Sequence, residues 1–283
     1  MHRATTKSTF DPLFYADFYP DTKNIRQDNR SLVRHFKTVG RREGRIGNRG
    51  ELANRIHHSL STIFEQEQEF VSSPKKRNGV HHHKLNILIR TSSRPEYFKT
   101  CIQSILSQTF TNYVIYICYD TIDSLEYIQP YIATNKNIFA TFIHVESQNK
   151  YRFNLYNNTL MDLVDDGYIL FLDDDDMFSH RYALEIINAN LNTDNTVVIW
   201  RFMRPDKTIF PQNIHQLRIG DIDTTCVCFH AKYKQISRWN DVQNGDFYFY
   251  QTLLTKGMQM FDVVMLDKIL TRTIFVDRMC NSL

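Results

Sequence analysis

A short apolar run, Tyr168-Ile169-Leu170-Phe171-Leu172, ends in four consecutive aspartates, Asp173 to Asp176. The run has the length and β-rich character of a strand buried on both faces, as in a parallel sheet. Open sheets of that kind take ligands outside the carboxyl ends of their strands, where these acids fall. Two unit charges about 4 Å apart repel by roughly 1 kcal/mol in water and about 4 kcal/mol at a protein surface. Four adjacent carboxylates therefore call for a cation or sugar hydroxyls, or else form a solvated acidic turn.

Length and charge narrow the setting. At 283 residues the chain can hold one large domain, or a domain with an appendage. Apolar residues make up 42% and aromatics 13%, enough for a core and against global disorder. Residues 1–80 carry fifteen Lys/Arg against nine Asp/Glu, whereas the remainder carries nineteen against twenty-two. No recognisable nucleic-acid module accompanies the basic head, so no nucleic-acid partner is expected. The start, Met1 to Lys7, lacks the apolar core of a signal peptide, and no run has the length of a membrane span. Five cysteines (Cys101, Cys118, Cys226, Cys228, Cys280) show no zinc spacing, which suits reduced thiols and a cytoplasmic location.

Two segments differ in texture. Residues 1–80 read as a helical appendage and linker, with a helix start at Asp11-Pro12, a second helix from Ser31 to Gly40 and a third over Leu52 to Phe70. Ser72 to Gly79 is turn-rich and charged, a linker candidate. His81-His82-His83 follows, but adjacent histidines in a linker rarely converge on one ion. From residue 84 to 283 strands and helices alternate. Leu85 to Ile89, Tyr113 to Cys118 and Thr141 to Val145 read as strands, and Asn154 to Val164 as a helix leading into the aspartate strand. Phe98, Cys101, Ile102, Ile105 and Leu106 recur at helical spacing behind Pro95. This rhythm predicts an α/β fold, a mixed and mostly parallel sheet covered by helices. Arg90-Thr91-Ser92-Ser93-Arg94 contains no glycine, which disfavours a dinucleotide or Walker-type phosphate loop.

Three acidic stations follow strands or precede a helix: Asp120, Asp173 to Asp176, and Asp246 in Asn244-Gly245-Asp246-Phe247. With them the segment from Leu85 to Leu270 resembles the family 2 glycosyltransferases of the GT-A (Rossmann-like) fold. Arg90 to Pro95 is similar to the family's opening Pro-Thr-Tyr-Asn-Arg loop, with arginine in place of the proline and serines in place of Tyr-Asn. Asn158 and Asp166-Gly167-Tyr168-Ile169 match the approach to the strand that ends in the family's Asp-x-Asp motif, here Phe171 to Asp176. The stretch from Asp11-Pro12 to Gly40-Arg41-Arg42-Glu43-Gly44-Arg45 also resembles a short helical segment found beside bacterial-type glycosyltransferase domains.

The resemblance implies an inverting, hexosyltransferase-like enzyme that takes its sugar from a nucleotide-diphosphate donor, with Mn2+ or Mg2+ as cofactor. Asp175 would be the direct metal ligand, Asp173 would hold the ribose or a metal-bound water, and Asp176 is a possible helper, through hard oxygen chemistry. Asp174 should face the opposite way along an extended segment. Asp120 would accept from the base, which favours uracil and hence a UDP-sugar. Thr91, Ser93 and Arg94 would bind the nucleotide, or instead form a polar loop capping the helix at Pro95. Asp246 would act as general base, although aspartate before a helix is also a favoured N-cap. Trp239 and His230 are acceptor-site candidates, with core packing and a strand end as their alternatives. The acceptor would be a glycan, a lipid-linked group or a protein. Competing readings are a nucleotidyltransferase and a catalytically degenerate carbohydrate- or nucleotide-binding module.

Overall fold

The computed structural model describes residues 10–25, 28–73, 82–213 and 218–274. Met1 to Lys7, most of the Ser72–Gly79 linker stretch, His81 and Cys280 lie outside the described residues. The chain forms two compact units, residues 1–65 with 204–208, and residues 66–203 with 209–283.

The smaller unit is helical. Helix α1 (Pro12–Phe18) begins where Asp11 Oδ1 accepts from the amides of Leu13 and Phe14, both at 3.0 Å, and Pro12 occupies the first turn. Asp28 caps α2 (Asn29–His35) in the same way, and a π turn over Phe36–Gly40 continues it. Tyr15, Ala16, Leu32 and Phe36 form the core of this unit. Arg45 forks onto Asp21 at 2.9 and 2.7 Å, so the closing arginine of the sequence echo meets an aspartate from its interior. Helix α3 (Arg49–Ser72) runs from this unit into the larger one.

The larger unit is built on a nine-stranded sheet. Its strands are β1 (Leu85–Thr91), β2 (Tyr113–Tyr119), β3 (Ile138–Phe142), β4 (Tyr168–Phe171), β5 (Asp176–Phe178), β6 (Thr196–Met203), β7 (Ile209–Phe210), β8 (Val227–His230) and β9 (Asp262–Thr273). They lie in the order β3-β2-β1-β4-β8-β6-β9-β5, with β7 beside β6. Strands β1 to β4 pair in parallel, β8 runs antiparallel between β4 and β6, and β9 is parallel to β6. The third strand begins three residues earlier than the sequence suggests. Tyr119, the last residue of β2, pairs with Phe142, so the partner strand ends there rather than at Val145.

Helices α4 (Pro95–Leu106), α5 (Ile122–Thr134), α6 (Tyr156–Asp162), α7 (Ala183–Ala189) and α8 (Gly245–Lys256) complete the unit. In α4 Phe98, Cys101, Ile102 and Ile105 are buried, while Leu106 falls outside that stripe. Side chains such as Ile87, Ile117, Leu170, Phe171, Trp200 and Phe229 make one continuous core. Gly167 turns the chain into β4 with φ +86°, and a Cβ there would come within 2.5 Å of the Lys84 carbonyl oxygen. His83 packs by its edge against Tyr168, with Nε2 2.8 Å from the Leu191 carbonyl oxygen, as a structural residue.

Candidate active site

Because β1, β2 and β4 are parallel neighbours, their carboxyl ends share one edge of the sheet. Thr91 pairs with Tyr119, and Leu88 with Phe171, so the segments 90–94, 120 and 173–176 emerge together. They border a cleft of about 510 Å³ lined by Arg90, Ser92, Arg94, Asp120, Asp173 and Asp175, with Lys150, Arg152 and Tyr156 opposite. Asp120 is held by the Tyr156 hydroxyl, which donates to Oδ2 at 2.9 Å. Its Oδ1 is buried and has no partner among the described residues.

The aspartates divide by face. Arg90 donates from Nε and Nη2 to the two oxygens of Asp173, each at 2.7 Å. Asp174 is fully buried and does not line the cleft, but it sits in a tight turn closed by the Asp176 amide donating to the Asp173 carbonyl oxygen at 2.9 Å, not in the extended segment expected from the sequence. It accepts from the Thr91 hydroxyl at 2.6 Å and from Arg94 Nε at 3.1 Å, with a further contact from Arg94 Nη2. Burial pushes Asp174 up to about 7, against the pull of Arg94 and the Thr91 hydrogen bond. Arg94 also reaches Asp175 at 3.0 Å. Carboxylate oxygens of Asp173, Asp175 and Asp176 lie within 4.8 Å of one another, a hard-oxygen set that fits Mg2+ or Mn2+. Asp176 is buried, and burial together with nearby Asp223 raises its pKa well above the usual range.

A second cleft of about 330 Å³ adjoins the first and shares Arg90, Phe153 and Asp173 with it. Asp246 lines it, with Asp223, Gln243 and Asn244. Asp246 is not the N-cap of α8. Asn244 holds that place in a left-handed conformation (φ 56°), and Asp246 lies inside the first turn, accepting from the Phe247 amide at 2.8 Å. Burial raises its pKa most, the Phe247 amide opposes this, and Asp173 raises it while Arg90 lowers it.

Two acceptor candidates are corrected by their placement. Trp239 is 2% exposed and stacks on Phe249 at 4.7 Å, with the Phe171 edge at 5.2 Å, so no indole face is offered to a sugar. His230 is 8% exposed and pairs with Tyr168, at the opposite end of β4 from Asp173. Five residues of strand put it roughly 16 Å from the acids. It faces Asp166 and Asp194 instead, with Nε2 at 3.8 and 3.6 Å. Thr91 lines the cleft, with its hydroxyl engaged by Asp174 and Tyr127, while Ser93 contacts Thr121 and Ser124, so of the two neighbouring serines it is Ser92 that lines the cleft.

Sequence reading missed Arg90, Lys150, Arg152, Asn154 and Tyr156. Arg90 carries the one clear signal, the sole charge in a strand that is mostly apolar. Asn158 does not enter the cleft. Its side chain brackets Trp239, accepting from the backbone amide and donating to the carbonyl oxygen, both at 2.9 Å.

A mixed, mostly parallel sheet covered by helices, with a nucleotide-sized cleft and clustered acids at one edge, defines the GT-A fold. The sequence model described as Glycosyl transferase family 2 matches residues 87–263, and the chain belongs to that family. Among solved structures, S. aureus TarS 1–349 is similar at 15% identity and a TM-score of 0.55, over 68% of this chain and 60% of that one. Its complex with UDP-GlcNAc gives 16% and 0.56, over 71% and 61%. The mannosyltransferase PcManGT from Pyrobaculum calidifontis, in complex with GDP-Man and Mn2+, gives 10% and 0.52, over 80% and 68%. At these identities the likeness is one of fold, and the chain spans about three fifths of the TarS 1–349 structures. Comparison with curated protein sequences finds no match.

Proposed function

We propose that this protein transfers a sugar from a nucleotide-diphosphate donor, a UDP-sugar by preference, to an acceptor hydroxyl with inversion. One observation carries the reading. Two clefts meet at Asp173 and Arg90, one presenting the unpartnered Asp120 oxygen and the other presenting Asp246.

In this reading the base lies against Asp120, which accepts its imide N–H. The diphosphate lies among Arg94, Lys150 and Arg152, whose charges favour it. Asp175 is the direct ligand for Mg2+ or Mn2+, and Asp176 supports it. Both Asp173 oxygens engage Arg90, yet each keeps a lone pair for ribose or a metal-bound water. When bound, such a cation supplies Lewis-acid stabilisation of the departing diphosphate. Asp246 takes the acceptor proton as the hydroxyl attacks from the far side of the anomeric carbon, a single displacement without a sugar–enzyme bond. The fold relatives carry UDP-GlcNAc in one case and GDP-Man with Mn2+ in another, which supports a nucleotide-sugar donor. The acceptor is a glycan, a lipid-linked group or a protein.

Thermal unfolding with UDP, GDP, CDP or dTDP, with and without Mn2+, tests this. Ligand at about a hundredfold over its dissociation constant stabilises by roughly 2.7 kcal/mol. For a chain of this size that is a rise of roughly 5–10 °C. The expected result is a shift with UDP that needs Mn2+ and vanishes in Asp175→Ala. An Mn2+-dependent shift of parental size in that variant would sink the metal assignment. No shift with any nucleotide would sink the donor assignment.

A further inference from the structure

Arg90 is an unusual residue for its place. It lies near the end of β1 in the sequence Leu-Asn-Ile-Leu-Ile-Arg-Thr, opposite Cys118 of β2 and beyond the last paired residue of β4, with its side chain 12% exposed. A guanidinium in such a position is costly unless its donors are used. Here they are. Nε and Nη2 fork onto Asp173, and Nη1 donates to Asn154 Oδ1 at 3.1 Å. The Phe153 ring covers the group, with its centroid 4.6 Å from Cζ.

Asn154 carries the link onward. Its Nδ2 donates to the carbonyl oxygens of Asn240 at 3.2 Å and Val242 at 3.0 Å. The amide is thus engaged at both ends, an acceptor toward Arg90 and a donor toward the loop that leads into α8. The start of α8 is packed against the same amide, because a Cβ on Gly245 would come 2.4 Å from Asn154 Nδ2. The residue after Gly245 is Asp246. An unbroken line of contacts therefore joins Asp173, Arg90, Asn154 and the 240–245 backbone, and it runs along the wall shared by the two clefts.

We propose that Arg90 is a positioning residue that couples the donor-side carboxylate Asp173 to the placement of Asp246, acting through Asn154 and the 240–245 loop. The inference rests on the glycosyltransferase reading for its catalytic consequence, but the line of contacts itself is a property of the structure. One guanidinium fixes the separation of the two stations between which the reacting carbon must sit. A lysine supplies the charge but not the fork, and so does not reproduce the link.

The test uses the full chain with Arg90→Met, Arg90→Lys and Asn154→Ala. Three readouts are taken: transfer rate, affinity for UDP with Mn2+, and amide hydrogen exchange over residues 240–247. The expected result is faster exchange in that segment for all three variants. The transfer kcat should fall by about 100-fold, the size associated with small misplacements of reacting groups, while UDP affinity stays near the parental value. If Arg90→Met is too unstable to purify, Asn154→Ala decides, since it leaves the Arg90–Asp173 pair in place. Parental kcat in Asn154→Ala would overturn the proposal, as would full rescue by Arg90→Lys. Loss of UDP affinity in step with kcat would overturn it too, by making Arg90 a donor ligand. A parent protein that transfers no sugar would count against the function proposed above. Exchange rates that do not differ between parent and variants would count against the coupling.

Discussion

Asp246 sits under opposed influences: burial and Asp173 favour its protonated form, while the Phe247 amide and Arg90 favour the charged one. Burial prevails, and a raised pKa makes a carboxylate a better base at neutral pH. It also sets a stability sign. The folded state holds this proton more tightly than the unfolded chain, so the group favours folding fully below its unfolded pKa. That advantage is lost as pH rises through the elevated folded value. Asparagine never ionises and escapes the loss. Asp246→Asn should therefore lose about 10²–10⁴-fold in transfer rate while keeping nucleotide binding. Its melting temperature should exceed the parent's at pH 7, with the difference shrinking toward pH 4. A difference that does not depend on pH would mean that Asp246 is not buried as a charge. The acids were legible in the sequence because Asp120 and Asp173 to Asp176 follow apolar runs that read as strands and Asp246 precedes a run that reads as a helix. Trp239 and His230 were not, because large amphipathic side chains serve cores and strand ends as readily as sugar sites, and only burial separates these uses.

Strands β1, β2 and β4 are apolar runs that periodicity finds, and their parallel pairing puts two acid-bearing ends, those of β2 and β4, on one edge beside the arginine-bearing end of β1. Strand β3 is displaced because its extent is set by where β2 stops, a fact held in another part of the chain. The order β8-β6-β9-β5 is equally non-local, and no local pattern encodes it. Glycine is the exception, since one residue can report a long-range constraint. At Gly167 an alanine would meet both the positive φ and the Lys84 carbonyl oxygen, directly before the strand that delivers the aspartates. Gly167→Ala should cost about 2 kcal/mol, the range for forced backbone strain. Urea unfolding measures it, and a parental midpoint would show that the turn can relax.

Across the whole larger unit, labour is divided along the sheet. The parallel strands supply the nucleotide cleft, and the segment between β8 and β9 supplies Asp246. Four cysteines are distributed over the same frame, Cys101 on α4, Cys118 on β2, and Cys226 and Cys228 at β8, all free and wholly buried. Burial also drives each of these thiols upward in pKa, away from the reactive thiolate. In a Cys280→Ser background the described thiols become a clock. A disulfide reagent such as DTNB should label them only as fast as the sheet opens, and UDP with Mn2+ should slow that labelling. Immediate reaction of any one of them in the native protein would contradict the packing. The interior thus carries its own unfolding reporters, so ligands can be ranked by reagent colour alone, before any sugar acceptor has been found.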